Sequence, residues 1–342
     1  MTGKITDAIE NVVEGITKTV FKTGEVLGLD WDPSPGVIFI TGGTGVVGHR
    51  VSSRLLQLSY PTVRLGVHQS KKVEHMNELG AEIADFDWEN DATYEKALQG
   101  VKSVLCIPPY HEGWDKRFEM FLQACQKAQV KHIVKTSFYH SRIPGDTFRD
   151  VPLVRAHGRC DKMLVLSGIP YTIIYATHYM SNPLVYQGKE LQKKLKPVVF
   201  YGSTGDANVN YVSPNDIAEL VIRTLLERRA HHNKEYTLTG PSQGITDNEV
   251  ACLLGKHLGK PVMYVDQPLH TFEDGIKKGG DPKFLVKDLV ALERIKAKYG
   301  SEGLPLSLTQ HEEFAKICGH DTETYEEYLL AKDRMSPLEI PQ

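Results

Sequence analysis

An α/β fold, with a Rossmann-type doubly wound parallel sheet, a smaller C-terminal lobe and an N-terminal amphipathic helix, is predicted by three features of the sequence. Short apolar runs alternate with helical patterns from Val37 to Tyr175, as they do where helices cover both faces of a parallel sheet. A glycine-rich turn joins the first of those runs to the first helical pattern. After Tyr175 the alternation loosens into scattered strands and capped helices, which marks a second lobe. The expected division is an extension over 1–35, a main domain over 36–176, and a mixed lobe over 177–335 with elements returning to the main sheet.

Ile5, Ile9, Val12, Val13, Ile16, Val20 and Phe21 recur at helical spacing and gather on one face. Such a helix either packs on its own protein or a dimer partner, or lies on a membrane surface. Asp7, Glu10 and Glu14 argue against a mitochondrial transit peptide, which is acid-poor. The breaker Trp31-Asp32-Pro33-Ser34-Pro35-Gly36 then leads into the main domain. Its strands are expected at Val37–Thr41, Val63–Val67, Glu82–Ala84, Ser103–Ile107, His132–Ser137 and Tyr171–Tyr175. Helices are expected between them at Val46–Leu58, Lys71–Leu79, Thr93–Leu98, Trp114–Ala128 and Arg155–Leu166. Six strands joined by right-handed crossovers place ligands beyond the carboxyl ends of the strands. In the second half, Ser213, Thr246 and Thr309 each offer a hydroxyl N-cap with Asp216, Glu249 or Glu312 three residues on. Glu235–Thr239 and Val262–Val265 have the composition of strands.

The chain of 342 residues is 41% hydrophobic and 24% charged, ordinary for a globular protein, and its net charge of -3 offers no broad basic surface to nucleic acid. Five cysteines, Cys106, Cys125, Cys160, Cys252 and Cys318, are widely spaced without a C-x-x-C, so they encode neither a disulfide framework nor a zinc site. No apolar run approaches the ~18 residues of a spanning helix, and the start of the chain lacks the features of a secretory signal. The expected location is the cytoplasm.

The strongest chemical signal is Val37-Ile38-Phe39-Ile40-Thr41-Gly42-Gly43-Thr44-Gly45-Val46-Val47-Gly48, a buried strand running into a glycine turn and a helix. Gly42 permits the tight turn, Gly45 lets backbone approach a pyrophosphate, and Gly48 lets the helix pack on the strand. The amides at Thr44, Val46 and Val47 fall where a helix N-terminus binds phosphate. At the end of the second strand an Asp or Glu would hold the ribose of NAD. The chain has Val67-His68-Gln69-Ser70-Lys71-Lys72 instead, donors and cations that suit a 2′-phosphate, so NADP(H) is favoured over NAD(H). The alternative is that Lys71 and Lys72 only solvate a helix start.

With these pieces in place, the chain resembles the NmrA-like group of atypical short-chain dehydrogenases, which includes quinone and triphenylmethane reductases and redox-sensing regulators. The likeness spans about residues 37–332 and is carried by Thr41-Gly42-x-x-Gly45-x-x-Gly48, Gly80-Ala81-Glu82-Ile83 leading to Asp87, and Val130-Lys131-His132-Ile133-Val134-x-Thr136-Ser137. Further on it includes Ser167-Gly168-Ile169-Pro170-Tyr171-Thr172-Ile173, Tyr211-Val212-Ser213-x-x-Asp216-Ile217-Ala218 and Tyr236-x-Leu238-Thr239-Gly240-Pro241. The resemblance implies that Asp87 lies near the adenine, that Ile107 and Pro108 line the cofactor, and that Ser137 sits beside the nicotinamide. For Asp87 a turn carboxylate, and for Ser137 a plain strand end, are the alternatives.

Dehydrogenases of the wider superfamily carry Tyr-x-x-x-Lys on the helix after the fifth strand. Aligning Asp161-x-x-Leu164-x-x-Ser167-Gly168 with the family pattern puts His157 where the lysine would be and Leu153 where the tyrosine would be. Tyr328-Leu329-Leu330-Ala331-Lys332 fits the formula but is far from that helix. His157 has three readings: a hydrogen bond to the ribose, a proton donor, or a surface histidine. Tyr139 and His140 follow the fifth strand at the ligand end, where they either face substrate or pack. His178, Tyr179 and Met180 either line the cleft or belong to the core. His231-His232 lacks a spaced third metal ligand, and there is no G-x-S-x-G elbow for a hydrolase. Three functions compete: an NADPH-dependent reductase of a quinone-like or conjugated carbonyl acceptor, an NADP(H)-sensing binder of a regulated protein, and a scaffold subunit. The partner is accordingly a small molecule or a protein, with no nucleic acid and no integral membrane segment, and a homodimer is compatible with each.

Overall fold

The structure, a computed structural model, describes residues 36–58, 60, 62–68, 74–109, 111, 113–142, 148, 151–183, 198–280, 282–302 and 309–331. The amphipathic segment expected over 1–30, and Lys71 and Lys72, lie outside the described residues. The first six strands are β1 (Val37–Thr41), β2 (Val63–Val67), β3 (Glu82–Asp85), β4 (Val101–Cys106), β5 (His132–Phe138) and β6 (Tyr171–Ala176). They are followed by β7 (His178–Tyr179), β8 (Val198–Gly202), β9 (Tyr211–Val212), β10 (Lys234–Leu238) and β11 (Val262–Asp266).

The main sheet is seven-stranded, in the order β10-β6-β5-β4-β1-β2-β3, and every pairing in it is parallel. The expected six strands are therefore one too few. The strand expected at Glu235–Thr239 forms as β10 and joins the sheet edge beside β6, with Tyr236 opposite Ile174. The pairs β8–β11 and β7–β9 make two small parallel sheets outside it.

The helices are α1 (Val46–Gln57), α2 (Glu74–Glu78), α3 (Tyr94–Ala97), α4 (Phe118–Lys127), α5 (Pro152–Leu166) and α6 (Pro214–Leu226). In the second half they continue with α7 (Asp247–Leu258), α8 (Leu269–Lys278), α9 (Lys283–Glu302), α10 (Thr309–Cys318) and α11 (Tyr325–Leu330). Trp114–Arg117, expected as the first turn of one long helix, is a 3-10 turn ahead of α4. Two of the anticipated caps form: Ser213 accepts the Asn215 amide at the start of α6, and Thr246 with Glu249 makes a full capping box on α7. The third helix, α10, begins on Thr309 itself.

Alternation along the strands divides the core between the two faces of the sheet. Ile38, Ile40, Leu65, Leu105, Val134 and Ile174 pack with Val51 and Leu55 of α1 and Ile217 and Val221 of α6. Phe39, Val104, Ile133 and Ile173 face the other way, onto Phe118 and Phe121 of α4 and Ala156 and Cys160 of α5. The long helix α9 packs on elements from both halves of the chain. Its Leu292 and Ile295 pack with Phe138, Phe148 and Val154, while its Lys296 bonds Asp247 of α7 and Tyr211 of β9. Among the described residues no helix is long and apolar enough to cross a membrane.

Candidate functional site

The strand order changes direction between β1 and β4, and beyond the carboxyl ends of such a pair a doubly wound sheet opens a crevice. Thr41, fully buried at the end of β1, latches the rim of this crevice. Its hydroxyl donates to the Ile107 carbonyl at 3.0 Å and accepts the Ile107 amide at 2.9 Å. Ile107 and Pro108, both half-buried, thus stand directly across from the glycine turn.

That turn is built for close approach. Gly42 has φ +66°, a conformation that suits glycine, and the Gly45 amide donates to its carbonyl at 2.9 Å. A Cβ on Gly48 would lie 2.2 Å from the same carbonyl oxygen, so only glycine lets α1 start so near β1. Gly45 occupies the N-cap position without any side-chain cap, and the first turn of α1 carries no acidic residue. The first amides of α1 and its positive dipole end are left for an anion. Gly45 is exposed and Thr44, Val46 and Gly42 are half-exposed, whereas Val47 and Gly48 are buried beneath them. Arg50, nearly buried, ties this helix to α6 by donating to Asn215 Oδ1 at 2.8 Å.

At the far side of the crevice the two residues expected at the adenosine end come together. His68, exposed at the end of β2, places Nδ1 3.5 Å from Asp87 Oδ2. The other oxygen of Asp87 accepts the Glu89 amide at 2.9 Å, so the carboxylate holds a turn as well as facing His68.

The opposite end of the crevice, where β5 meets α5, holds a polar cluster inside an otherwise apolar layer. Lys135 is fully buried in β5. Its ammonium donates to Asp161 Oδ1 at 2.7 Å and the Thr136 carbonyl at 3.3 Å, and lies 3.4 Å from His157 Nδ1. Ser137 donates to Asp161 Oδ2 at 2.6 Å and sits 3.3 Å from the same His157 nitrogen. Trp114 meets His157 edge-on at 5.4 Å. Burial, and next the Lys135 charge, hold His157 well below the usual histidine range. The ring is therefore neutral near pH 7. The surface-histidine reading does not fit a half-buried ring with these partners.

Ser137 and His157 were expected here; Lys135 and its pairing with Asp161 were missed. The available signal was a lysine in the middle of an apolar strand, His132-Ile133-Val134-Lys135-Thr136-Ser137, since a charge on such a strand needs a buried partner. Leu153, at the position of the superfamily tyrosine, packs against the cluster of Phe138, Phe148 and Ile295. Tyr139 is buried with Trp114, Phe118 and Tyr175. His140 and His178 are buried as well, with rings 6.2 Å apart, and His140 contacts Tyr299 of α9 at 4.8 Å. Met180 is buried in a cluster with Phe200, Val250 and Tyr325, while Tyr179 is half-exposed. Among the described residues no group of three or more His, Cys, Asp or Glu side chains is arranged to hold a metal ion.

Sheet order, switch-point crevice and uncapped glycine turn define a dinucleotide-binding protein of the Rossmann class. The chain belongs to the NmrA-like family, whose model matches residues 35–329. It is 30% identical over 294 residues to quinone oxidoreductase 2 of Escherichia coli, covering 85% of this chain and 96% of that protein. It is 28% identical to the NAD(P)H azoreductase of Xenophilus azovorans, covering 73% of this chain and 83% of the relative. Among solved structures, the NADPH complex of the Escherichia coli NADPH-dependent quinone oxidoreductase superposes with a TM-score of 0.70 at 27% identity, covering 86% of this chain and 99% of that one. These kinships place the chain among the NAD(P)H-dependent oxidoreductases.

Proposed function

We propose that the protein binds NADPH in the β1–β4 crevice and reduces a quinone-like or conjugated carbonyl acceptor. The observation that carries this reading is the glycine turn that opens α1 without a cap or an acid, in a chain collinear with almost the whole of a quinone oxidoreductase. Gly42, Thr44, Gly45, Val46, Val47 and Gly48 hold the pyrophosphate, His68 and Asp87 face the adenosine, and Ile107 and Pro108 line the middle. Ser137 and His157 flank the nicotinamide. NADP(H) is favoured over NAD(H) because β2 ends in Val67-His68 without a carboxylate for the ribose. The nicotinamide supplies a hydride, and the balance is NADPH + H⁺ + quinone giving NADP⁺ + hydroquinone. The chain contributes binding and orientation.

A second reading has its own observation. With Leu153 at the tyrosine position and the His157 pKa held low by burial and by Lys135, the cluster suits a protein that reports NADP(H) to a partner without turnover. Calorimetric titration with NADPH, NADP⁺, NADH and NAD⁺, followed by a quinone panel on the same sample, tests both. Tight NADPH binding with steady oxidation is the expected result. Tight binding without turnover selects the sensor, and absence of binding removes the site assignment.

A further inference from the structure

We infer that Lys135 is a positioning residue that fixes His157 as a neutral imidazole with its hydrogen on Nε2, giving the nicotinamide end of the crevice a hydrogen-bond donor of constant charge. The inference deepens the reductase reading and rests on it only for what the donor meets.

The argument is an accounting of hydrogens. An ammonium has three, and the neighbours of the buried Lys135 nitrogen are Asp161 Oδ1 at 2.7 Å, the Thr136 carbonyl at 3.3 Å and His157 Nδ1 at 3.4 Å. Each accepts one. Ser137 has a single hydroxyl hydrogen, and the short 2.6 Å contact assigns it to Asp161 Oδ2, so Ser137 does not donate to His157. The Ser137 oxygen, 3.3 Å from Nδ1, is an acceptor there, but a hydrogen on Nδ1 would also face the ammonium and deny its third hydrogen a lone pair. Nδ1 therefore presents its lone pair to Lys135, and the one hydrogen of a neutral ring sits on Nε2, a tautomer assigned from the bonding network. Protonating the ring would bring a second N–H against the ammonium, donor against donor and like charge against like.

The other groups around the ring do not oppose this. From α5 come Asp161, already committed to Lys135, Ser137 and Ser141, and the buried Cys160. From the turn after β5 comes Ser141, whose hydroxyl donates to Asp161 at 3.2 Å. From the 3-10 turn come the edge of Trp114 and Asp115, which is paired with Arg159. Lys135 thus supplies from the strand a cation in the region where the superfamily formula puts a lysine on the helix. The effect differs: the cation suppresses protonation of an imidazole.

Histidine-selective ¹⁵N spectroscopy of the full chain tests this, with the His157 signals identified by their loss in His157→Gln. The expected wild-type result is a neutral ring with hydrogen on Nε2 that does not titrate between pH 5.5 and 8. In the double variant Lys135→Met with Asp161→Asn, which removes both ends of the ion pair, the His157 midpoint should move up by at least one pH unit toward its ordinary value. A wild-type His157 that titrates near pH 6.5, or carries its hydrogen on Nδ1, overturns the inference without any variant having to fold. So does a midpoint that the double variant leaves unmoved. Under the reductase reading, kcat for NADPH oxidation with a quinone should be flat from pH 6 to 8 in the wild type. In the double variant it should change more than about threefold across the same midpoint that the spectra give. Flat profiles in both proteins overturn the acceptor-side role. Absence of turnover in the wild type defeats the reductase reading, and the spectra then decide the Lys135 inference alone.

Discussion

A methyl group on Gly48 would lie 2.2 Å from the Gly42 carbonyl oxygen and 3.0 Å from Gly43 Cα. Gly45 has an ordinary φ of -84°, and a Cβ there would be 3.2 Å from one carbonyl. The two glycines should fail in different ways. Gly48→Ala is expected to force α1 away from the turn, costing about 1–3 kcal/mol as overpacking does and weakening NADPH at least about tenfold; denaturant unfolding and calorimetry read the two effects. His132 makes a prediction of a different kind. It is fully buried, and burial, followed by His232 and His231, lowers its pKa to about 3. The unfolded chain binds this proton near pH 6.5 and the folded chain does not, so the stability contributed is present above pH 6.5 and lost as pH falls toward about 3. His132→Phe keeps a ring and removes the titration, while Thr172 keeps its bond to the His231 carbonyl at 2.7 Å. Between pH 6 and 4 the slope of unfolding free energy against pH should flatten by up to about 1.4 kcal/mol per unit. An unchanged slope would show that His132 does not drive the acid sensitivity.

Helix α9 depends on charges that the sequence disguises. Asp288, Glu293 and Lys296 are buried on it among Val286, Leu292 and Ile295, so its apolar stripe is interrupted and the helix was not among those expected. Lys296 bonds Glu293 at 2.6 Å and Asp247 at 3.1 Å, and Glu293 in turn accepts the Ser203 amide at 2.8 Å. Burial would lower the Lys296 pKa, but Asp247 and Glu293 outweigh it and hold the ammonium charged. Lys296→Met should leave two buried carboxylates unpaired and cost roughly 3–5 kcal/mol. Thr246→Ala, which removes only the α7 capping box, should cost about 1 kcal/mol. Equal losses in thermal unfolding would contradict the network. The same contrast explains what was legible. β1 and β2 have the boundaries expected from their apolar runs, because strands buried on both faces need no alternation. Lys135 and Asp161 are 26 residues apart, a pairing that local pattern cannot carry.

At the scale of the molecule, the pairing of β10 with β6 follows from long-range register, which a strand's own composition does not specify. The sequence showed the strand, but not the edge it completes. The glycine turn was legible because turn, strand and helix are contiguous, and so the cofactor site can be tested through the stability of the whole chain. A ligand that binds only the folded state adds RT ln(1 + [L]/Kd), about 2.7 kcal/mol at a hundredfold excess over Kd. NADPH should therefore raise the unfolding temperature in proportion to the logarithm of its concentration. Gly45→Asp places a carboxylate at the exposed N-cap of α1, where it would cap the helix amides and repel the pyrophosphate. The variant should fold with an unliganded unfolding temperature close to that of the wild type and show no NADPH-dependent rise. A variant that melts early without ligand would indicate damage to the fold, and Gly45→Ala would then separate shape from charge. A rise equal to that of the wild type would place the pyrophosphate elsewhere, and with it every role assigned along the crevice.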